Sequence, residues 1–262
     1  MKKRFFFGAM SSILIPLGVF FVVFGGALLG IFLRQRLPEP HRDGDTKEAV
    51  QLVLGPIAMM AALVLSLLIS SSHGLFETQQ GEVQKLAADV ILLDEALGHY
   101  GPEAAAIRSG FRDDVVSASR AMSPNEGFGS ASITVAGADN QKKHLFAQVL
   151  ALEPKSAFQR YDQSKALDLM SEIATTRLII HEQASASVPT ALILVLTVWL
   201  TLLFFGFGLV ARVNGTVLAS FGFGAFSVAT AIFLIVDMGH PYQGLIHVSR
   251  APIQNALDQI GR

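Results

Sequence analysis

Four long runs of this chain contain no Asp, Glu, Lys or Arg: Phe5 to Leu33, Ala49 to Phe76, Gln183 to Ala211 and Val213 to Val236, of 29, 28, 29 and 24 residues. Each exceeds the roughly 20 residues that carry a helix across about 30 Å of hydrocarbon. All 20 basic and 21 acidic side chains of the 262 residues fall outside them. Lipid offers the backbone no hydrogen bonds, so a spanning segment must be a helix or part of a closed barrel. These runs are continuously apolar rather than alternating, which excludes the barrel. The pattern predicts an all-α, polytopic membrane protein with four transmembrane helices, and it excludes a soluble single-domain enzyme.

The segments follow from the same partition. Residues 1–33 form the first transmembrane helix, 34–48 a polar connector and 49–76 the second transmembrane helix. Residues 77–182 form a soluble helical bundle, 183–236 a transmembrane hairpin and 237–262 a C-terminal segment with a short helix. The first apolar run is about twice the length of a signal peptide's core, and no A-x-A pattern follows, so an uncleaved span is expected. Pro16 lies inside it, and Gly26 with Gly30 makes a small-xxx-small pair suited to close helix contact. The connector holds four charges of each sign.

Glu77 to Glu182 carries 15 acidic and 10 basic residues, the density of water-facing chain. Val83, Leu86, Val90, Leu93 and Leu97 step by three and four, an a/d seam that continues the second span as one helix. The seam has two readings: internal packing, or a face for a partner. Gly98 to Pro102 breaks this helix, and Pro102 is placed to open the next. Ile107, Phe111, Val115, Ala118 and Met122 stripe a second helix, ended by Ser123-Pro124. A loop from Asn125 to Gly137 follows, then helix from about Asp139 to Leu152. After a break at Glu153-Pro154 the last stripe is Phe158, Ala166, Leu169, Ile173 and Ile180, leading to Pro189 and the third span. The insert between the second and third spans is therefore a bundle of four amphipathic helices.

Arg212 to Gly215 is all that joins the third and fourth spans, which forces an antiparallel hairpin. Asn214-Gly215 is expected to supply a positive φ for the turn. Beyond Asp237, Ser249 reads as an N-cap and Pro252 as an early position of a terminal helix. Four spans place both termini and the bundle on one side. Lys2, Lys3, Arg4, Lys85, Arg177 and Arg250 flank the membrane there, against Arg34, Arg36, Arg42, Lys47 and Arg212 opposite. Six against five is too even for the positive-inside rule to fix the orientation.

Few constellations suggest chemistry. The chain has no cysteine, so disulfides and thiolate sites are absent. His181-Glu182 lacks the second histidine of a zinc motif, and His240 and His247 are separated by Pro and Gly without ligand spacing. Neither a nucleophile elbow, a phosphate loop nor a dinucleotide fingerprint occurs. No enzyme activity, metal or cofactor is expected, and a net charge of −1 gives no attraction to nucleic acid. The second span differs from the others. Met59, Leu63, Ser66, Ser70 and His73 lie at helical spacing, apolar groups giving way to hydroxyls and then imidazole. A pore can be lined this way, with an apolar constriction that dewets and polar groups that replace hydration. A helix–helix interface uses small polar residues too. The spans hold no charge, which argues against a carrier built on intramembrane carboxylates.

Two spans, a helical insert and a two-span hairpin precede Asp237, Pro241, Tyr242, Gly244, Ile246, Val248 and Ser249. With Arg177 and Pro189 ahead of the third span, this layout resembles the bestrophin-like family of bacterial and plant membrane proteins. That family is similar to the bestrophins, which are pentameric chloride channels whose second spans line a central pore. The resemblance implies a homo-oligomer in a membrane, the inner membrane of a bacterium, with residues 77–182 and both termini in the cytoplasm. It implies lipid and small anions as partners and Met59, Leu63, Ser66, Ser70 and His73 as pore-lining candidates. Asp237 alone is acidic between the last span and Asp258, so the calcium site of bestrophins is not expected. Phe76 is the second span's only phenylalanine, where bestrophins carry several at their constriction. Asp237, Pro241, Tyr242, Gly244 and Ser249 also have a plainer role, docking the segment after the fourth span. The alternative function is a non-conducting membrane scaffold or sensor whose bundle binds a partner through the Val83–Leu97 seam.

Overall fold

The computed structural model of the protein describes residues 2–36, 44–121, 144–185, 190–239, 245–246, 248–249 and 251–260. Eight α-helices run through them: α1 (Lys2–Arg36), α2 (Gly44–Tyr100), α3 (Ala105–Ala121), α4 (144–150), α5 (Ala157–Ser185), α6 (Thr190–Val210), α7 (Gly215–Met238) and α8 (Ala251–Gln259). The fold is all-α, with no strand among the described residues. The helices α1, α2, α6 and α7 are each long and apolar enough to cross a membrane. The expected loop at Asn125 to Gly137 and the ends of its flanking helices lie outside the described residues, as do Met122, Ser123, Pro124, Asp139 and Pro189. The chain forms two compact units, residues 1–75 with 187–240, and 76–186 with 241–262.

The first unit holds α1, the apolar half of α2, α6 and α7. Val19, Val23, Ala27 and Ile31 recur every four residues and bury one face of α1, which packs on α6 and α7. Close approach of α1 and α6 depends on glycine. A Cβ on Gly30 would overlap the Phe205 carbonyl oxygen, and one on Gly208 would overlap that of Ala27. Gly26 lies close to Thr201, less tightly: an added Cβ would stand 2.8 Å from its methyl and 3.0 Å from its carbonyl oxygen. The Gly26–Gly30 pair is thus a helix-contact stripe, as its spacing predicts, and Gly208 on α6 is its counterpart. Hydroxyls within the spans donate to their own helix: Thr197 to the Ile193 carbonyl and Thr201 to the Thr197 carbonyl, both at 2.7 Å. Such bonds satisfy polar groups where water is absent. Arg34, at the end of α1, donates to the Ala211 carbonyl past the end of α6.

The connectors differ from expectation at both short loops. Helix reaches Arg36 and resumes at Gly44, so both ends of the 34–48 connector are helical. Asn214 is extended, with φ −147° and ψ 165°, and its side chain accepts the Val217 N–H at 2.8 Å. The positive-φ turn expected at Asn214-Gly215 does not form, because Asn214 instead caps the orphan amides that open α7. Among the described residues the one positive φ belongs to Gly101, at 117°. There Pro102 opens a single 3-10 turn, and the Ala104 N–H donates to the Gly101 carbonyl at 3.1 Å.

At 57 residues α2 would measure about 85 Å, far beyond the ~30 Å of hydrocarbon. Its second half enters the second unit, where Val83, Leu86, Val90, Leu93 and Leu97 are all buried. They form one core with Ile107, Phe111 and Val115 of α3, Leu145 and Val149 of α4, and Ala166, Leu169, Ile173 and Ile180 of α5. The a/d seam is therefore internal packing, not a face left open to a partner. One member of the α5 stripe is displaced: Phe158 is 61% exposed, and buried Asp162 takes the position one turn before Ala166. The reason is angular. Eight residues separate Phe158 from Ala166, which leaves Phe158 about 80° off that face, whereas four residues separate Asp162 from it. The C-terminal segment does more than end the chain. Val248, Ile253, Ala256 and Ile260 join this core, and α8 packs on α3.

Side chains tie the turns of the bundle together. Gln159 of α5 donates to the Tyr100 carbonyl at 2.9 Å, and Lys155 pairs with Glu103 at 3.0 Å. Gln163 donates to the Val149 and Leu152 carbonyls, both at 2.9 Å, satisfying acceptors left at the end of α4.

Candidate functional site

The second span presents two opposite faces. Leu54, Ala61 and Leu68, seven residues apart, are buried at 7, 2 and 5% exposure. Met59 and Leu63 are exposed at 76 and 70%, and Ser66, Ser70 and His73 are exposed as well. A separation of two residues turns a helix by about 200°, so Met59 lies across from Ala61, Ser66 across from Leu68 and Ser70 across from Ser72. Burial of Ser72 at 2% exposure agrees with that register. The five candidate residues thus share one face, which the chain's own spans leave uncovered. It is broader than the candidates alone, for Leu52 is exposed on it and Met60 and Leu67 are exposed along its edge.

Along that face the chemistry changes in one direction. The Met59 and Leu63 side chains carry no hydrogen-bonding hydrogen, Ser66 and Ser70 bring hydroxyls, and His73, a residue with an interaction elsewhere in the chain, brings an imidazole. Such an order suits either a water path that narrows at an apolar ring or a contact with another helix. A single helix face encloses nothing, so a path would need several copies around an axis.

The segment after the fourth span is positioned at its two ends. Asp237, in the last turn of α7, is fully buried and partnered, and the Gly239 N–H donates to the Ile235 and Asp237 carbonyls. Pro241, Tyr242, Gly244, His240 and His247 lie outside the described residues. Val248 is buried in the bundle core, Ile246 is half-exposed, and the Ser249 hydroxyl accepts the Ala251 N–H at 3.2 Å at the start of α8. Ser249 therefore acts at the helix start expected of it.

Gly208 was not legible as a partner of α1, nor Gly206 as a contact of α2. Their only trace was the pair of glycines in an otherwise bulky apolar run. Gly206 lies against Leu54 of α2, so this stretch of α6 meets two spans.

Comparison with known proteins follows this architecture. A bestrophin-like domain matches residues 21–253. A crystal structure of a bacterial bestrophin homologue from Klebsiella pneumoniae, carrying an I180T mutation, superposes with a TM-score of 0.64. It is 15% identical in sequence, and the alignment covers 94% of this chain and 99% of that one. No curated protein matches the sequence. The family match spans nearly the whole chain, from within α1 into α8, and the solved homologue shares its fold from end to end: this chain belongs to the bestrophin-like family.

Proposed function

We propose that this protein is the subunit of a homo-oligomeric membrane channel for small anions, with the exposed face of α2 lining the path. One observation carries the reading beyond family membership. Only 17% of the most apolar window of α2 is buried within the chain, against 28–33% in the other three spans. The span with the polar stripe is also the one whose own chain covers it least. Neighbouring copies placed around an axis would cover its flanks and leave Met59, Leu63, Ser66, Ser70 and His73 towards a central opening. Met59 and Leu63 supply the apolar constriction, and Ser66 and Ser70 offer hydroxyl donors to a partly dehydrated anion.

Two measurements test this. Mass determination of the purified protein in detergent is expected to give a closed homo-oligomer. Liposomes containing it are expected to show chloride flux that rises with protein content. A monomer, or a well-formed oligomer that conducts no anion over a range of pH and voltage, overturns the proposal. The bacterial inner membrane, with bundle and termini in the cytoplasm, is part of the same reading, and reporter fusions at Asn214 and Arg262 test it. The scaffold alternative has less to stand on, because the Val83–Leu97 seam that motivated it is filled by the bundle's own core.

A further inference from the structure

The second unit contains a cavity of about 390 Å³, walled largely by Leu93, Phe111, Leu145, Phe146, Met170 and Ile173. That volume falls within the range of small-molecule sites. Among the described residues two charged side chains line it, Arg177 of α5 and Asp114 of α3, together with Ser171 and Ala174. Arg177 is half-buried, and among the described residues no hydrogen bond or ion pair engages its guanidinium. Asp114 lines the same cavity but already has a partner. Burial works against the charge of Arg177 and lowers its pKa, and Asp114 offsets only part of this. An arginine stays charged in proteins, so the shortfall appears as demand for an anion rather than as loss of a proton.

We propose that this cavity is a binding site for an amphipathic monocarboxylate, whose carboxylate pairs with Arg177 while its apolar body fills the space between α3, α4 and α5. The guanidinium presents a planar fork of donors that matches a carboxylate, and such charge-assisted pairs are the stronger hydrogen bonds. A wholly apolar ligand would leave Arg177 unanswered. A small inorganic anion would answer it but leave the apolar walls wet. A cation would have to compete for Asp114 beside an unneutralised guanidinium. One anionic end and one apolar end answer Arg177 and the apolar wall, while Asp114 keeps the partner it already has. Sequence resemblance had marked Arg177 without a role, and this site supplies one that does not depend on conduction.

The test uses the full-length protein in lipid nanodiscs, with empty nanodiscs as blank, and calorimetric titration with octanoate and with its neutral counterpart octanamide. Saturable octanoate binding at one site per chain is expected, with octanamide at least about tenfold weaker, the loss of one charge-assisted pair. Arg177→Met should weaken octanoate by a similar factor and leave octanamide little changed. Ala174→Phe, which fills the cavity without touching the charge, should weaken both. Equal binding of the two ligands, octanoate binding unaffected by either variant, or uptake that never saturates overturns the proposal. If Arg177→Met does not fold, the octanoate–octanamide contrast and Ala174→Phe decide it.

Discussion

Arg108 grips Asp94 with both ends of its guanidinium, Nε to Oδ1 at 2.8 Å and Nη2 to Oδ2 at 2.6 Å. The pair closes the turn at Gly101, where α3 folds back along α2, and it lies over Gly98, where even an added Cβ would meet the guanidinium only in ordinary contact, at 3.5 Å. The Asp94 side chain is 7% exposed and that of Arg108 30%, so the bond is largely shielded from water. The hydrogen bond to Asp94 is the main cause that raises the pKa of Arg108.

Removing one partner leaves a buried charge poorly compensated. Arg108→Met is expected to lower stability by about 2 kcal/mol, the scale of a shielded, charge-assisted pair. The double variant Arg108→Met with Asp94→Leu is expected to recover much of that loss, since an apolar pair of similar volume replaces the ions. Thermal unfolding of the single and double variants in one detergent checks both.

The α1–α6 contact makes a sharper prediction because backbone cannot move aside as a side chain can. Gly30→Ala would drive a methyl into the Phe205 carbonyl and is expected to cost about 3 kcal/mol. Gly25, five residues earlier and so about 140° round the helix, has nothing within 4 Å of where a Cβ would stand. Gly25→Ala should therefore shift the melting midpoint little in either direction. Equal effects of the two substitutions would remove the glycine stripe from the packing argument.

Asp89 predicts a pH dependence. Its pKa is raised from the ordinary 3.8, chiefly by burial, further by the negative charge of Glu172, and against the opposing effect of Lys85. Oδ2 is buried without a hydrogen-bond partner. The folded state therefore holds this proton to higher pH than the unfolded chain does. By linkage, the carboxyl costs no stability below the unfolded value, and the penalty grows as pH rises through the raised folded value. Asp89→Asn is expected to melt above the parent protein at neutral pH. The two midpoints should converge as pH falls below the ordinary carboxyl range. A constant offset at all pH values would assign the effect to packing instead of charge.

The chain has no cysteine, so single introduced thiols report their surroundings without background. A thiol reacts as its thiolate, which needs water. Cysteines at Ser66 and Ser70 should react with a charged, water-soluble thiol reagent at least about tenfold faster than one at Phe223, an exposed residue of α7. Cysteines at Ala61 and Ser72 on the buried face should stay protected. Reaction at Ser66 as slow as at Phe223 would place that face in lipid and end the pore reading.

Much of this architecture was legible in the sequence, and for identifiable reasons. The Val83 to Leu97 steps announced a buried helix face, and the structure buries all five. Gly101-Pro102 announced the turn, and Gly101 takes the one positive φ among the described residues. The misses are equally specific. Asn214-Gly215 read as a positive-φ turn because that dipeptide favours one, but the amides opening α7 competed for the same side chain and won. Phe158 read as core because aromatic residues favour burial, yet its angle on α5 points it away and Asp162 stands in its place. On α2 the candidate stripe was visible as spacing, whereas its two readings, pore or interface, carry the same spacing.

Composition alone determined that four helices cross a membrane and that a helical bundle stands between the second and third. Hydrocarbon judges each segment by itself: a run of sufficient length without charge satisfies its own backbone as helix whatever it packs against. Tertiary structure decided everything that depends on which distant segments meet. It brought Gly208 against Ala27, folded α8 into the bundle, left one face of α2 uncovered and placed Arg177 in the wall of a cavity. Such pairings cost and gain free energy only in combination, so no segment carries them in its own sequence.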